Sequence, residues 1–306
     1  MSSSDIFLGA IFTFQTFLGF TGNSLLFSSY MCIFLSLPHK RRPIDVILAH
    51  LTLANALTLL LRGVPSAMAS FGIWLELGDA GCQAVLYLQR VSRGISLCAT
   101  SLQSTFQAVT LTPSGWAWLR TKISIVIQPS LLLFWVLNMV IYTQVIVSVT
   151  SRNATRATVG YSSRYCSSDD FNYQLSTASL SIMIIRDSVL LSLMMCSSIY
   201  MVVVLHRHHK AARHVLSSAR HARYSPAHRA MHLILMLVSC FAFFYWINTF
   251  LTVYLVFTNE NKEQLENFSN FISSCYPTIC PFLLIKNENR ISRLNFIKTR
   301  IGIVPA

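Results

Sequence analysis

Two arginines three residues apart, Arg90 and Arg93, interrupt the otherwise uncharged run LYLQRVSRGISLCAT at Leu86–Thr100. Residues at i and i+3 share a helix face, and here Gln89 stands one step round while Gly94 leaves room beside the backbone. Arg62 and Arg186 occupy two further apolar runs, and Asp187 is the one acid set deep within such a run. Guanidinium groups hold carboxylates, sulfates or carbonyls by forked, charge-assisted hydrogen bonds. The set therefore has the chemistry of a site for an anionic or acceptor-rich group. Tyr245 and Trp246, in the aromatic run FAFFYW, are candidate walls, because small-molecule pockets are lined largely by aromatic and apolar side chains. A plainer reading also holds: Asp187 pairs with Arg90 or Arg93 across two helices, and Arg62 snorkels outward.

Other chemistry is absent from the pattern. The basic stretch HRHHKAARHVLSSARHARYSPAHR has six histidines, but no His/Cys/carboxylate set has the spacing of a structural zinc site. There is no Gly-rich phosphate loop, HExxH or GxSxG. No metal, no cofactor and no enzymatic activity are expected.

The elements that position the arginines follow from composition. Of 306 residues, 53% are hydrophobic and only 11% charged, with a mean hydropathy of +0.53. Soluble domains carry about a quarter charged residues, so the chain reads as a membrane protein. Apolar runs at 6–37, 44–69, 82–111, 123–149, 175–205, 231–258 and 268–285 are each near or above the roughly 18–20 residues that cross a bilayer as helix. They are continuous rather than alternating, which excludes a barrel of short strands. The expected fold is all-α: one domain over 1–306, a seven-transmembrane-helix bundle with a short tail at 286–306. The first run is too long for the apolar region of a signal peptide, and no Lys or Arg precedes it.

Basic residues orient the bundle. Sixteen of the 24 Lys and Arg fall in the segments that would be inner if the N-terminus is extracellular and the C-terminus cytoplasmic. The net charge of +13 then reflects a face beside anionic lipid and gives no argument for nucleic acid. At about 1.5 Å per residue, Arg93 lies roughly 16 Å and Arg90 roughly 12 Å below Cys82, Arg62 roughly 10 Å below the outer end of its helix, and Arg186 roughly 16 Å below Leu175. Four cations in one outer-half layer against one acid suggest an outward-open pocket, apolar on its walls and cationic at its floor. Of eight cysteines, Cys82 and Cys166 alone fall on the oxidising outer side, and are the natural disulfide pair. Two glycosylation sequons, at Asn153 and Asn267, fall on the same side.

The runs KRRPIDVILAHLTLAN (40–55), LQRVSRGISLCATSLQSTFQAVTLTP (88–113), RDSVLLSLMMCSSIYMVVVLHRHHK (186–210), LILMLVSCFAFFYWIN (233–248) and CYPTICPFLLI (275–285) resemble the vomeronasal type-1 receptors, over essentially all spans. The resemblance implies a rhodopsin-like chemosensory receptor of the plasma membrane. It would bind a pheromone- or odorant-like small molecule and activate a heterotrimeric G protein of inhibitory type. The inner surface so implied includes Gln107, Arg207, Lys210, Arg213 and Arg229, then Lys286, Arg290 and Arg293, although topology alone also enriches inner segments in Lys and Arg. Three positions depart from the wider rhodopsin-like pattern. Gln107 stands where an Asp-Arg-Tyr arginine is usual, Asn55 where an acid helps bind sodium, and CPFLL where Asn-Pro-x-x-Tyr is expected. Asn23 and Asn55 read most simply as interhelical hydrogen-bonding residues. A bitter-taste-type receptor and a transporter or channel subunit are the alternatives.

Overall fold

The computed structural model describes residues 3–36, 42–73, 78–111, 117–151, 166–168, 173–215, 226–257 and 262–287. Seven long helices run through them: α1 (Ser3–Ser36), α2 (Pro43–Ser70), α3 (Asp79–Thr110), α4 (Ala117–Ile141), α6 (Tyr173–Val215), α7 (Pro226–Phe257) and α8 (Lys262–Asn287). A short α5 (Thr143–Ser148) and two three-residue strands, β1 (Val149–Ser151) and β2 (Cys166–Ser168), complete the set.

Polarity is distributed as lipid solvation demands. Phe14, Phe17, Val140 and Phe250 are each two-thirds exposed, whereas Asn23, Asn55, Thr52, Thr100 and Ser104 are fully buried. Apolar side chains outside and polar ones inside mark a multi-pass membrane bundle, because hydrocarbon cannot satisfy hydrogen-bonding groups. Among the described residues, five helical segments are long and apolar enough to cross a bilayer: Ile6–Ser36, Pro43–Ser70, Ile125–Ile146, Ser181–Val204 and Asn267–Lys286. On α7 the apolar stretch is shorter, Leu235–Leu251. α3 is the polar spine, burying Ser92, Ser96, Thr100, Ser101, Gln103 and Ser104. These hydroxyls tie it to its neighbours: Ser96 donates to Asn55 Oδ1 at 2.8 Å, Ser104 and Ser197 share a hydrogen bond of 2.6 Å, and Thr100 shares one of 3.2 Å with Tyr276.

Local signals set the helix ends and kinks. Pro43 opens α2 at a position where its missing N–H costs nothing, and Asp45 Oδ2 accepts from the Arg42 N–H at 3.0 Å. Pro281 within α8 frees the carbonyl of Pro277, four residues back. Asn23 Nδ2 donates to that carbonyl at 2.8 Å, which explains a polar residue in the middle of α1.

The fourth run departs from the expectation of one helix through Val149. Helix α4 stops at Ile141, Tyr142 forms a turn with φ −93° and ψ 4°, and six residues of α5 lead into β1. Val149 and Thr150 are β-branched and favour extended backbone, and the antiparallel ladder Val149↔Ser168, Thr150↔Ser167, Ser151↔Cys166 takes up the strand's hydrogen bonds. This small hairpin is the one addition to an otherwise helical chain among the described residues.

The expected disulfide is present. Cys82 and Cys166 are bonded with Cα atoms 5.8 Å apart, fixing β2 to the start of α3. Gln83 Nε2 donates to the Val149 carbonyl at 3.1 Å, so both strands are anchored to the same helix end.

Candidate functional site

Four helices bring a polar cluster together. On α6, Arg186 and Asp187 form an ion pair with each other, Nε–Oδ1 2.8 Å and Nη2–Oδ1 2.5 Å, although adjacent residues on a helix point about 100° apart. Arg186 also donates from Nη1 to Asn138 Oδ1 on α4 at 2.6 Å and from Nη2 to the Tyr142 hydroxyl at 3.0 Å. Its guanidinium carbon stands 5.5 Å from the centre of the Tyr142 ring. From α7, the Tyr245 hydroxyl donates to Asp187 Oδ2. From α3, the Arg93 guanidinium lies over the Tyr245 ring, 5.0 Å from its centre.

The sequence permits this convergence at one tight point. A Cβ on Gly94 would overlap Asn138 Oδ1 and stand 3.3 Å from Arg186 Nη1. Only glycine lets α3 approach Asn138 while that side chain also holds Phe134 O at 2.7 Å and Arg186. Tyr245 is braced by Phe241, stacked with ring centres 5.6 Å apart, and Phe241 meets Tyr276 edge-on at 4.5 Å.

Beside the cluster, Arg93 and Ser96 of α3, Tyr245 and Asn248 of α7, and Thr58 and Tyr276 from α2 and α8 line a cavity of about 40 Å³. That volume holds one or two waters, far below the roughly 300–1,000 Å³ of small-molecule pockets. Its walls carry one guanidinium, hydroxyls, an amide and aromatic faces, a mixed lining that can fix an acceptor while enclosing apolar carbon.

Several sequence-derived candidates lie elsewhere. Asp187 pairs with its neighbour Arg186 and not with Arg90 or Arg93, because the long Arg186 side chain can fold back to both Asp187 and α4. Arg62 neither joins the cluster nor snorkels: its Nε and Nη2 both donate to Asn270 Oδ1 on α8, at 2.9 and 2.5 Å. Arg90 lies on an exposed face, and Gln89 is half-buried. Trp246 is 63% exposed, since it sits about 100° round α7 from Tyr245 and turns away from the bundle. The four-cation layer thus divides among three environments. Asn138 and Tyr142 belong to this cluster and are absent from the sequence-derived set. The signal for Asn138 was present, an amide within an uncharged apolar run like Asn23 and Asn55. Tyr142 carried none.

Asn267 lies within α8, and its sequon partner Ser269 is buried and donates to Asn248 Oδ1 at 3.4 Å. Gln107 is half-buried near the end of α3, and Arg207 and Lys286 are exposed on α6 and α8. Lys210 and Arg213 fall on α6 and Arg229 on α7, while Arg290, Arg293 and Asn153 lie outside the described residues.

A long-helix bundle with a disulfide-pinned hairpin at one end and a polar cluster between α3, α4, α6 and α7 has the build of a multi-pass membrane protein. The model of the vomeronasal organ pheromone receptor family matches residues 6–297. The chain is 34% identical over 299 residues to human vomeronasal type-1 receptor 4, covering 97% of this chain and 99% of the relative. It is 31% identical over 290 residues to the zebrafish olfactory receptor class A-like protein 1, covering 92% and 90%. The chain belongs to the vomeronasal type-1 receptor family, a family of receptors and not of enzymes.

Proposed function

We propose that this chain is a chemosensory G-protein-coupled receptor of the plasma membrane. It crosses the bilayer seven times, with the N-terminus outside and the C-terminus in the cytoplasm. A pheromone- or odorant-like small molecule with an anionic or acceptor-rich group binds where Arg93 and Tyr245 line the inner cavity. The observation that carries this reading is the Arg93 guanidinium, poised over the Tyr245 ring at the edge of that cavity. Arg93 and Arg186 bring two guanidiniums beside the Asp187 carboxylate, and a half-buried guanidinium in a low-dielectric setting favours an anionic or acceptor group.

A cavity of about 40 Å³ admits such a ligand only if the surrounding helices part. The ligand then favours the parted arrangement, and a G protein that favours the same arrangement from the cytoplasmic side is coupled to it reciprocally. Gln107, Arg207, Lys210, Arg213, Arg229, Lys286, Arg290 and Arg293 form the inner surface in this reading, facing a G protein of the inhibitory type. Asn153 is the sequon favoured for glycosylation, because Asn267 sits in a helix with Ser269 buried.

The test is inhibition of cyclic-AMP formation in cells expressing the chain, screened with steroid sulfates and their uncharged parents. The sulfates are expected to act at about tenfold lower concentration, the scale of one charge-assisted hydrogen bond. Arg93→Ala removes that preference. Equal responses to both sets reject the electrostatic part of the proposal, and an ion current in reconstituted membranes without G-protein activation rejects the receptor reading in favour of a channel.

A further inference from the structure

Five hydroxyl-bearing residues, Thr58, Ser96, Tyr245, Ser273 and Tyr276, line the cavity beside Arg93. A hydroxyl has one proton to give and two lone pairs with which to accept, so the place of each proton decides what the wall can offer a ligand. Thr58 Oγ1 donates to the Ala54 carbonyl at 2.8 Å and Ser273 Oγ to the Asn270 carbonyl at 3.0 Å, each within its own helix. Ser96 Oγ donates to Asn55 Oδ1 at 2.8 Å, and the Tyr245 hydroxyl to Asp187 Oδ2. Tyr276 follows by elimination. Thr100 Oγ1 gives its one proton to the Ser96 carbonyl at 2.8 Å, so Tyr276 is the donor in the 3.2 Å contact between Thr100 and Tyr276.

All five hydroxyl protons are therefore committed. Side-chain donors on the wall are confined to the Arg93 guanidinium and the Asn248 amide, whose oxygen accepts from Ser269 at 3.4 Å. The hydroxyl oxygens keep their capacity to accept, whereas turning one inward to donate gives up a bond already made. A ligand that brings acceptors alone suits Arg93 and nothing else on this wall. Parting the helices changes the balance least at Thr58 and Ser273. Ser96, Tyr245 and Tyr276 each bond to another helix, but Thr58 and Ser273 hold their protons on their own backbone and remain acceptors when the cavity opens.

We propose that the ligand is a hydroxylated apolar anion, whose anionic group takes Arg93 and whose hydroxyl donates to the oxygens of Thr58 and Ser273. This rests on the reading that a ligand enters here as the helices part, and adds to it a second polar group of stated kind. The group is a donor because the wall it meets can only accept. It is a hydroxyl and not an ammonium, because no Asp or Glu lines the cavity to offset another cation beside Arg93. Phe241, Phe244 and Pro277 supply the apolar wall for the carbon between the two groups. A site built around a ligand hydroxyl rejects the analogue that lacks it, since the wall oxygens then lose their water and gain no partner.

The test is equilibrium binding of a tritiated adamantane that carries a carboxylate and a hydroxyl on two bridgeheads, to the full chain in lipid nanodiscs, with empty nanodiscs subtracted. Displacement compares the unlabelled hydroxy acid with the fluoro acid, in which fluorine matches the hydroxyl in size and brings no proton, and with the hydroxy amide, which lacks the charge. The hydroxy acid is expected to bind about tenfold tighter than the fluoro acid. The double variant Thr58→Val, Ser273→Ala brings that ratio to about one and keeps the preference for acid over amide, whereas Arg93→Ala removes the second preference and keeps the first. Absence of saturable binding, equal affinity of the hydroxy and fluoro acids, or a ratio that survives the double variant overturns the proposal. A hydroxy acid no tighter than its amide, with the hydroxyl preference intact, overturns instead the anionic reading on which it rests. Should the double variant fail to fold, the hydroxy-to-fluoro ratio of the parent chain decides.

Discussion

Tyr245 on α7 donates its hydroxyl to Oδ2 of Asp187 on α6, while Arg186 occupies the other carboxylate oxygen. One acid thus closes two helices onto a third, since Arg186 reaches Asn138 on α4 as well. Tyr245→Phe keeps the ring under Arg93 and removes this one hydrogen bond to a charged acceptor. The expected cost is about 1.5–3 kcal/mol. It is read as a lower thermal unfolding midpoint of the detergent-solubilised chain, and an unchanged midpoint would show the contact to be idle.

Asp187→Asn leaves the Arg186 guanidinium without its carboxylate. Removing one partner of a buried ion pair costs about 3–5 kcal/mol, and with the two side chains 16% and 13% exposed the lower end of that range applies. Arg186→Gln combined with Asp187→Asn recovers part of the loss, because neither change then strands a charge. A double-mutant cycle on unfolding midpoints measures the recovery, and strict additivity contradicts the pairing.

Gly94→Ala inserts a methyl into the space that Asn138 Oδ1 occupies. Either α3 shifts or Asn138 swings away from Arg186, at about 1–3 kcal/mol for overpacking. The companion change Asn138→Ala makes room, so Gly94→Ala costs less in that background than alone. Equal costs in both backgrounds would place the clash elsewhere.

Arg62 and Arg90 separate cleanly by partner. Arg62→Met strips Asn270 Oδ1 of both of its guanidinium donors and lowers the unfolding midpoint, at about 1–3 kcal/mol for a buried acceptor left unmet. Arg90→Met, on an exposed face, stays within about 0.5 kcal/mol of the parent. The reverse order would mean that Arg90, and not Arg62, ties the helices.

The Cys82–Cys166 bond closes a loop with a sequence separation of 84. Cys82→Ser is expected to lose about 2–5 kcal/mol. Reductant lowers the midpoint of the parent and leaves that of Cys82→Ser unchanged, and a parent indifferent to reductant would remove the bridge from the stability argument.

Much of the site was legible in part. Arg93, Gly94, Arg186, Asp187 and Tyr245 were all readable as charge, small size or aromatic character out of place in an apolar run, and they do converge. Trp246 was read by the same rule and faces outward, because composition cannot tell which of two adjacent aromatics points inward. Tyr142 was not readable at all. Its role comes from a helix break that the uncharged run 123–149 conceals, with strand-forming residues at the far end of a stretch long enough for a span.

By itself the sequence determined the solvent, the helices, the disulfide and the family. The first two depend on apolar length summed along the chain, the disulfide on the two cysteines at or beyond the ends of the apolar runs, and the family on matching motif blocks spread over the spans. The tertiary structure alone decided which partner each arginine found. Helices that are apolar nearly all round carry little pattern to fix their rotation, so the faces of α6 and α7 are set by side-chain fit, such as Tyr245 against Asp187, and not by periodicity. A buried charge takes the nearest acceptor that this rotation supplies, which is why Arg186 meets Asp187 while Arg62 meets Asn270.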